Sequence, residues 1–166
     1  MKATFSGILL AMAAALSISA VAAQSTLPKE GDVVCSGVFH VMSNNVSMGE
    51  DVSQYSYQAV GGLLTEKEET LLDRMSGRCV GSGRVVKGTL ETETGMCEFI
   101  DLTGDKLFTT TSSTKGDIGT KHTLAGGTGK YTGITGGWTS VRRSLRSPIE
   151  GQGIVVITYK GSYKLP

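Results

Sequence analysis

From Gly77 to the C-terminus the chain reads as strand after strand. Arg78–Leu90 (RCVGSGRVVKGTL), Gly95–Leu102 (GMCEFIDL), Lys106–Ser112 (KLFTTTS) and Asp117–Ala125 (DIGTKHTLA) are followed by Lys130–Thr135, Trp138–Leu145 and Gln152–Lys164. Turn residues separate them, at Thr103-Gly104-Asp105, Gly126-Gly127, Gly136-Gly137 and Ser147-Pro148. Short strands at this spacing confine the chain to an all-β domain, a sandwich or a barrel. Glycine is abundant at 23 residues and proline rare at 3, and the glycines lie among β-branched and aromatic residues. That placement argues for strands that bend or admit close neighbours rather than for a disordered linker.

The earlier part of the chain adds two strands. In Asp32–Ser43 (DVVCSGVFHVMS), Cys35, Gly37, Phe39 and Val41 share one face and Ser36, Val38, His40 and Met42 the other. Both faces are largely apolar, so this strand is expected to be buried on two sides. Val52–Leu64 carries Tyr55 and Tyr57 on a shared face. Leu64–Met75 is the one helical candidate, with Thr65 and Glu68 at capping-box spacing and Leu71, Leu72 and Met75 as its apolar side. A charged loop is the alternative for that segment.

The first residues, MKATFSGILLAMAAALSISAVAAQ, have the form of a secretory signal peptide. Lys2 gives the positive start, Ile8 to Ala23 is apolar, and Val21 and Ala23 prepare a cut after Ala23. A transmembrane anchor fits less well, because the apolar core is short and no basic stop-transfer cluster follows. A lipoprotein signal fails, because Cys35 follows Asp32-Val33-Val34. The expected division is a signal peptide over 1–23 and one domain over 24–166, exported to the periplasm or the extracellular space. The domain retains 143 of the 166 residues, enough for a genuine core. Lys2 is the one charge in the leader, so 16 basic against 15 acidic residues become 15 against 15. A neutral chain has no bulk-charge reason to bind nucleic acid or an acidic membrane. Arg142, Arg143 and Arg146 form a small basic cluster, read as a solvated strand face.

Cys35, Cys79 and Cys97 permit three single pairings. A hairpin turning near Lys87-Gly88-Thr89 brings Cys79 opposite Cys97, close enough for a disulfide. That pairing is favoured for an exported protein, with three reduced thiols as the alternative. A second hairpin, turning at LTGD, is expected to set Phe99 against Phe108 and Asp101 against Lys106.

The stretch Ala125–Gly137, AGGTGKYTGITGG, places a lysine in a glycine run. It is not a phosphate loop. Leu124 stands where the first glycine belongs, and Tyr131 where the metal-binding hydroxyl belongs. The dinucleotide pattern fails at Thr132, and no helix follows to present its N-terminus to a phosphate. The stretch is instead expected to be a kinked barrel strand, with Tyr131, Gly133 and Thr135 on one face.

The order SGRCVGSGRVV, GMCEFIDLTGDKLF, GGTGKYTGITGGWT and a terminal YKGSYKLP resembles a family of exported bacterial proteins, grouped with the allene oxide cyclase-like barrels whose fold also occurs in plant dirigent proteins. The likeness runs from Cys35 to Pro166. It implies a closed antiparallel barrel of about eight strands and implies no activity, and no catalytic residue of the plant enzymes maps onto this sequence.

No metal-ligand spacing accompanies His40 and His122, and no local nucleophile motif such as G-x-S-x-G occurs, so neither a metal nor a cofactor is expected. Asp101 and Asp105 read as turn caps, and Glu66, Glu68 and Glu69 as a solvated run. Glu98 would be a buried carboxylate with Arg84 as partner if its face points inward, although an outward face ranks first. Trp138, Tyr131, Tyr55, Phe39 and Phe99 are the aromatics available to line or fill a lumen, and whether it is hollow stays open. Phe39, Arg84, Glu98, Tyr131 and Trp138 are the candidate ligand-binding residues. The leading expectation is a non-catalytic barrel that binds a small apolar ligand or an envelope partner. A lumenal cyclase or isomerase is one alternative. A protein-binding envelope factor or inhibitor, using an exposed patch at Asn44-Asn45-Val46 or Ile134–Trp138, is the other. Oligomeric state stays open.

Overall fold

The computed structural model describes residues 27–67, 70–150 and 152–166, so the segment expected to be a signal peptide lies outside the described residues. Eight strands follow in order: β1 (Glu30–Ser47), β2 (Val52–Leu64), β3 (Ser76–Val86), β4 (Thr89–Ile100), β5 (Lys106–Thr114), β6 (Thr120–Gly127), β7 (Thr135–Leu145) and β8 (Gly153–Lys164). Each pairs antiparallel with the next, and β8 closes on β1. The molecule is an all-β, closed, eight-stranded up-and-down barrel. No helix among the described residues is long and apolar enough to cross a membrane.

Alternation sorts each strand into an inside and an outside. On β1, Val33, Cys35 and Phe39 are buried, whereas Val34, Val38 and Met42 are half or more exposed. The expected two-sided burial of this strand does not occur. A single closed sheet has one interior, so the apolar outer row meets no second layer.

Inward glycines make room for rings. A Cβ on Gly81 would stand 2.8 Å from the Tyr57 ring, and one on Gly83 2.5 Å from the Tyr55 ring. Another on Gly77 would stand 2.8 Å from the Phe99 ring. This is the physical reason for so many glycines in strands: they are the floor on which the lumen's aromatics lie.

The β3–β4 hairpin has the expected register. Lys87 and Gly88 both adopt positive φ, as a two-residue type I′ turn requires, and Cys79 lies opposite Cys97 in a disulfide. The β4–β5 register departs from expectation by one residue. Phe99 faces Leu107, Glu98 faces Phe108 and Ile100 faces Lys106. The cause is the turn. Asp101 N–H donates to the Asp105 carbonyl at 3.0 Å, and the Asp101 carboxylate accepts Thr103 N–H at 2.8 Å and Asp105 N–H at 3.0 Å. Asp101 therefore builds the turn, and Lys106 pairs with Glu98 at 2.9 Å instead.

Two further expectations are corrected at the barrel base. The described residues of Leu64–Met75 beyond the end of β2 form turns and bends rather than a helix, and Glu68 of the expected capping box lies outside them. Leu72 and Arg74 take positive φ, and the segment closes with Leu63 N–H donating to the Met75 carbonyl at 2.9 Å. Its Leu71, Leu72 and Met75 are buried and plug the barrel. The strand expected over Lys130–Thr135 does not form before Thr135, where β7 begins. Gly129–Tyr131 forms a single 3-10 turn that tucks Tyr131 under the base. Gly129 has a φ of +52°, and a Cβ there would collide with the Asp105 carboxylate. Lys130 N–H donates to Asp105 at 3.2 Å, and Lys130 Nζ pairs with Asp101 at 2.6 Å. The loop does hold anionic oxygens, but they are the chain's own carboxylates. Ile134 and Trp138 are also buried, so the exposed patch expected there is absent.

Candidate binding site in the barrel lumen

The lower half of the barrel is filled by Phe99, Leu63, Leu107 and the plug residues Leu71, Leu72 and Met75, all essentially inaccessible. The upper half holds a cavity of about 300 Å³. The lumen is thus filled at one end and hollow at the other, which settles the question left open by the sequence.

The cavity floor is apolar, made by Phe39, Ala59, Ile157 and the Cys79–Cys97 bridge. At its mouth, Glu93 of β4 is only 2% exposed and takes a two-point ion pair from Arg142 of β7, at 3.0 and 3.1 Å. β4 and β7 lie nearly opposite in the barrel, so the pair spans the opening. Tyr55 O–H donates to the same carboxylate. Burial, then the hydrogen bond and charge of Glu93, push the Tyr55 hydroxyl well above its ordinary range, so it stays a donor. Burial alone would lower Arg142, but Glu93 outweighs it and holds the guanidinium protonated.

Between mouth and floor lies a polar belt of Tyr57, Thr111, His122 and Ser140. His122 Nε2 lies 3.0 Å from Ser140 Oγ, which itself reaches the Thr120 carbonyl at 3.5 Å. The tautomer sets the direction of that bond: Nε2–H donates to Ser140 and leaves Nδ1 an acceptor, or Ser140 O–H donates to Nε2 and leaves Nδ1–H a donor. Burial, and then the charge of Arg142, lower the His122 pKa to about 4, so the ring is neutral at pH 7. It stacks on Trp138 at 5.8 Å and meets Tyr159 edge-on at 5.6 Å.

The candidate residues read from the sequence fall in three places. Phe39 lines the cavity floor. Trp138 is buried in the wall behind His122, and Tyr131 lies beneath the base, donating to Asp101 at 3.0 Å. Arg84 and Glu98 are on the outer surface, paired with Glu91 at 3.2 Å and Lys106 at 2.9 Å, so the inward Arg84–Glu98 pair does not form. The bridge explains why. Cys79 and Cys97 point inward, so their odd-numbered strand neighbours do too, and Arg84 and Glu98 point out. Counting by twos from Cys97 reaches Gly95 and then Glu93, a signal the sequence did contain. Arg142 had none: the expected solvated cluster is divided, with Arg142 turned to the lumen while Arg143 and Arg146 stay in solvent.

No group of three or more His, Cys, Asp or Glu among the described residues is placed to hold a metal ion. Cys35 is a buried free thiol that burial pushes up to about 12, so it carries no thiolate for nucleophilic chemistry at neutral pH.

No protein-family model matches the chain, and neither does any curated protein. Among solved structures, a pterocarpan synthase dirigent protein is similar over 92% of this chain and 100% of its own, at 11% identity and a TM-score of 0.49. The barrel assignment stands on the strand pairing itself.

Proposed function

We propose that this chain is an exported bacterial barrel that binds one small, largely apolar molecule in its lumen. The carrying observation is the cavity of about 300 Å³, floored by Phe39, Ala59, Ile157 and the disulfide and bordered above by the Glu93–Arg142–Tyr55 cluster. Its size and its apolar lining with a few polar groups match the lower end of small-molecule sites. Export is supported by the leader and by a disulfide of the kind that persists in oxidising compartments.

Naphthalene, followed by its fluorescence, is a suitable first probe. Saturable binding of one molecule per chain is expected. Partition that never saturates, or that is unchanged when Ala59→Phe fills the floor, would overturn the reading.

One observation favours a second reading, a lumenal cyclase or isomerase. Tyr55, Glu93 and Arg142 combine a proton donor, a carboxylate and a fixed positive charge at the cavity mouth. A catalytic lumen requires that a bound guest be converted and that Glu93→Gln stop the conversion while binding persists. A binding barrel returns its guest unchanged.

A further inference from the structure

We infer that the lumen selects an uncharged guest bearing a hydroxyl group, which it holds on the Thr111–His122 wall. This rests on the binding reading above and adds the chemical class of the guest.

The first support is unpaired polarity confined to one wall. Besides Thr109 Oγ1, which does not line the cavity, Thr111 Oγ1, His122 Nδ1 and Trp138 Nε1 are buried without a hydrogen-bond partner of good geometry, with the Tyr57 hydroxyl set beside Thr111. They occupy directly paired positions on β5, β6 and β7, with Thr111 opposite His122 and His122 opposite Trp138. Thr111 and His122 also line the cavity. Buried polar groups in folded proteins nearly always have partners, so neighbouring orphans on a cavity wall mark bonds that a guest completes. Nδ1 accepts or donates according to the tautomer, and the Thr111 hydroxyl does both. A hydroxyl meets both groups in either tautomer, because it too donates and accepts. A carbonyl meets both only where Nδ1 carries the proton, and a hydrocarbon meets neither.

Charge is the second support. The lumen's two ionised groups, Glu93 and Arg142, satisfy each other at 3.0 and 3.1 Å. A guest carboxylate would have to take Arg142 from the buried Glu93, and a guest cation would face Arg142 itself. The first leaves the buried Glu93 carboxylate unpaired, and the second sets a like charge beside Arg142, which is itself 39% exposed at the mouth. Volume sets the scale: at roughly 30 Å³ per water, the cavity of about 300 Å³ has the room of about ten waters. That suits a compact skeleton of about ten carbons.

Three matched probes test this: naphthalene, 2-naphthol and 2-naphthoate, titrated by fluorescence and checked by native mass. The expected result is 2-naphthol at least tenfold tighter than naphthalene, with 2-naphthoate weakest. Thr111→Val removes one of the two bonds and should shrink the preference for 2-naphthol over naphthalene several-fold. His122→Phe is the second variant, should Thr111→Val fail to fold. Equal affinity for naphthalene and 2-naphthol would overturn the inference and leave the binding reading intact, since water would then serve the wall. Preference for 2-naphthoate would overturn the charge argument. If none of the three binds, the lumenal reading fails together with this inference.

Discussion

His122 is an imidazole kept neutral by its surroundings, and that makes the protein sensitive to mild acid. Its folded pKa, lowered to about 4 by burial and then by Arg142, lies below the ordinary 6.5. The unfolded chain therefore takes up this proton first. Stability is full above about pH 6.5, falls as the pH drops towards 4, and loses about 3 kcal/mol over that window. Denaturant titrations at a series of pH values should show this slope, and His122→Asn should flatten it. An unchanged slope in the variant would remove His122 as the cause. Asp101 acts in a lower window. Burial alone would raise it, but bonds from Lys130, Thr103 and Tyr131 outweigh burial and hold the carboxyl well below the usual range. Its contribution is present above about pH 4 and is lost below. Asp101→Asn should cost roughly 2 kcal/mol at pH 7, loosening the turn at Asp101–Asp105 and the seat of Tyr131; a loss within error would show that the turn stands without the charge. Neither role was legible in the sequence. His122 and Asp101 looked ordinary because their surroundings come from strands distant in the chain.

At the scale of elements, the β3–β4 hairpin carries the covalent staple. Its bridge spans 18 residues. Replacing Cys79 and Cys97 by alanine should destabilise the barrel by about 3 kcal/mol, read as a lower melting temperature that reductant no longer changes. Peptide mapping without reductant that joins Cys35 to either partner would contradict the assignment. The glycine floor gives a sharper test. Gly83→Ala puts a methyl 2.5 Å from the Tyr55 ring, so Tyr55 should leave Glu93 and the protein should lose about 1–3 kcal/mol. An unperturbed Tyr55 in the variant's structure would refute that role. This hairpin was readable because a tight turn and a cysteine pair both specify one register. The β4–β5 register was not, because Asp101 spends its carboxylate within the turn rather than across the strands. The plug was misread for a related reason: Leu71, Leu72 and Met75 suit a helix face and a barrel stopper equally well. In the glycine loop the strand-like residues TGIT were outweighed by Gly129, whose backbone lets the carboxylate of Asp105 approach.

The whole molecule is a barrel filled below and hollow above, and its function turns on whether the hollow is used. The closed antiparallel architecture was legible in strand spacing and glycine placement, because those features repeat along the whole chain. The site was not, because it needs the inward parity of eight strands at once. Of the five residues expected to bind a ligand only Phe39 lines the cavity, joined by Tyr55 from the aromatics expected in the lumen. The most direct test is the native mass of the protein, purified gently from its own producing cells beside an Ala59→Phe variant whose cavity floor is filled. A guest mass that denaturation releases from the native protein, and that the filled variant lacks, is the predicted result. A bare native mass in both, or the same guest retained by the filled variant, would contradict a lumen that holds its ligand.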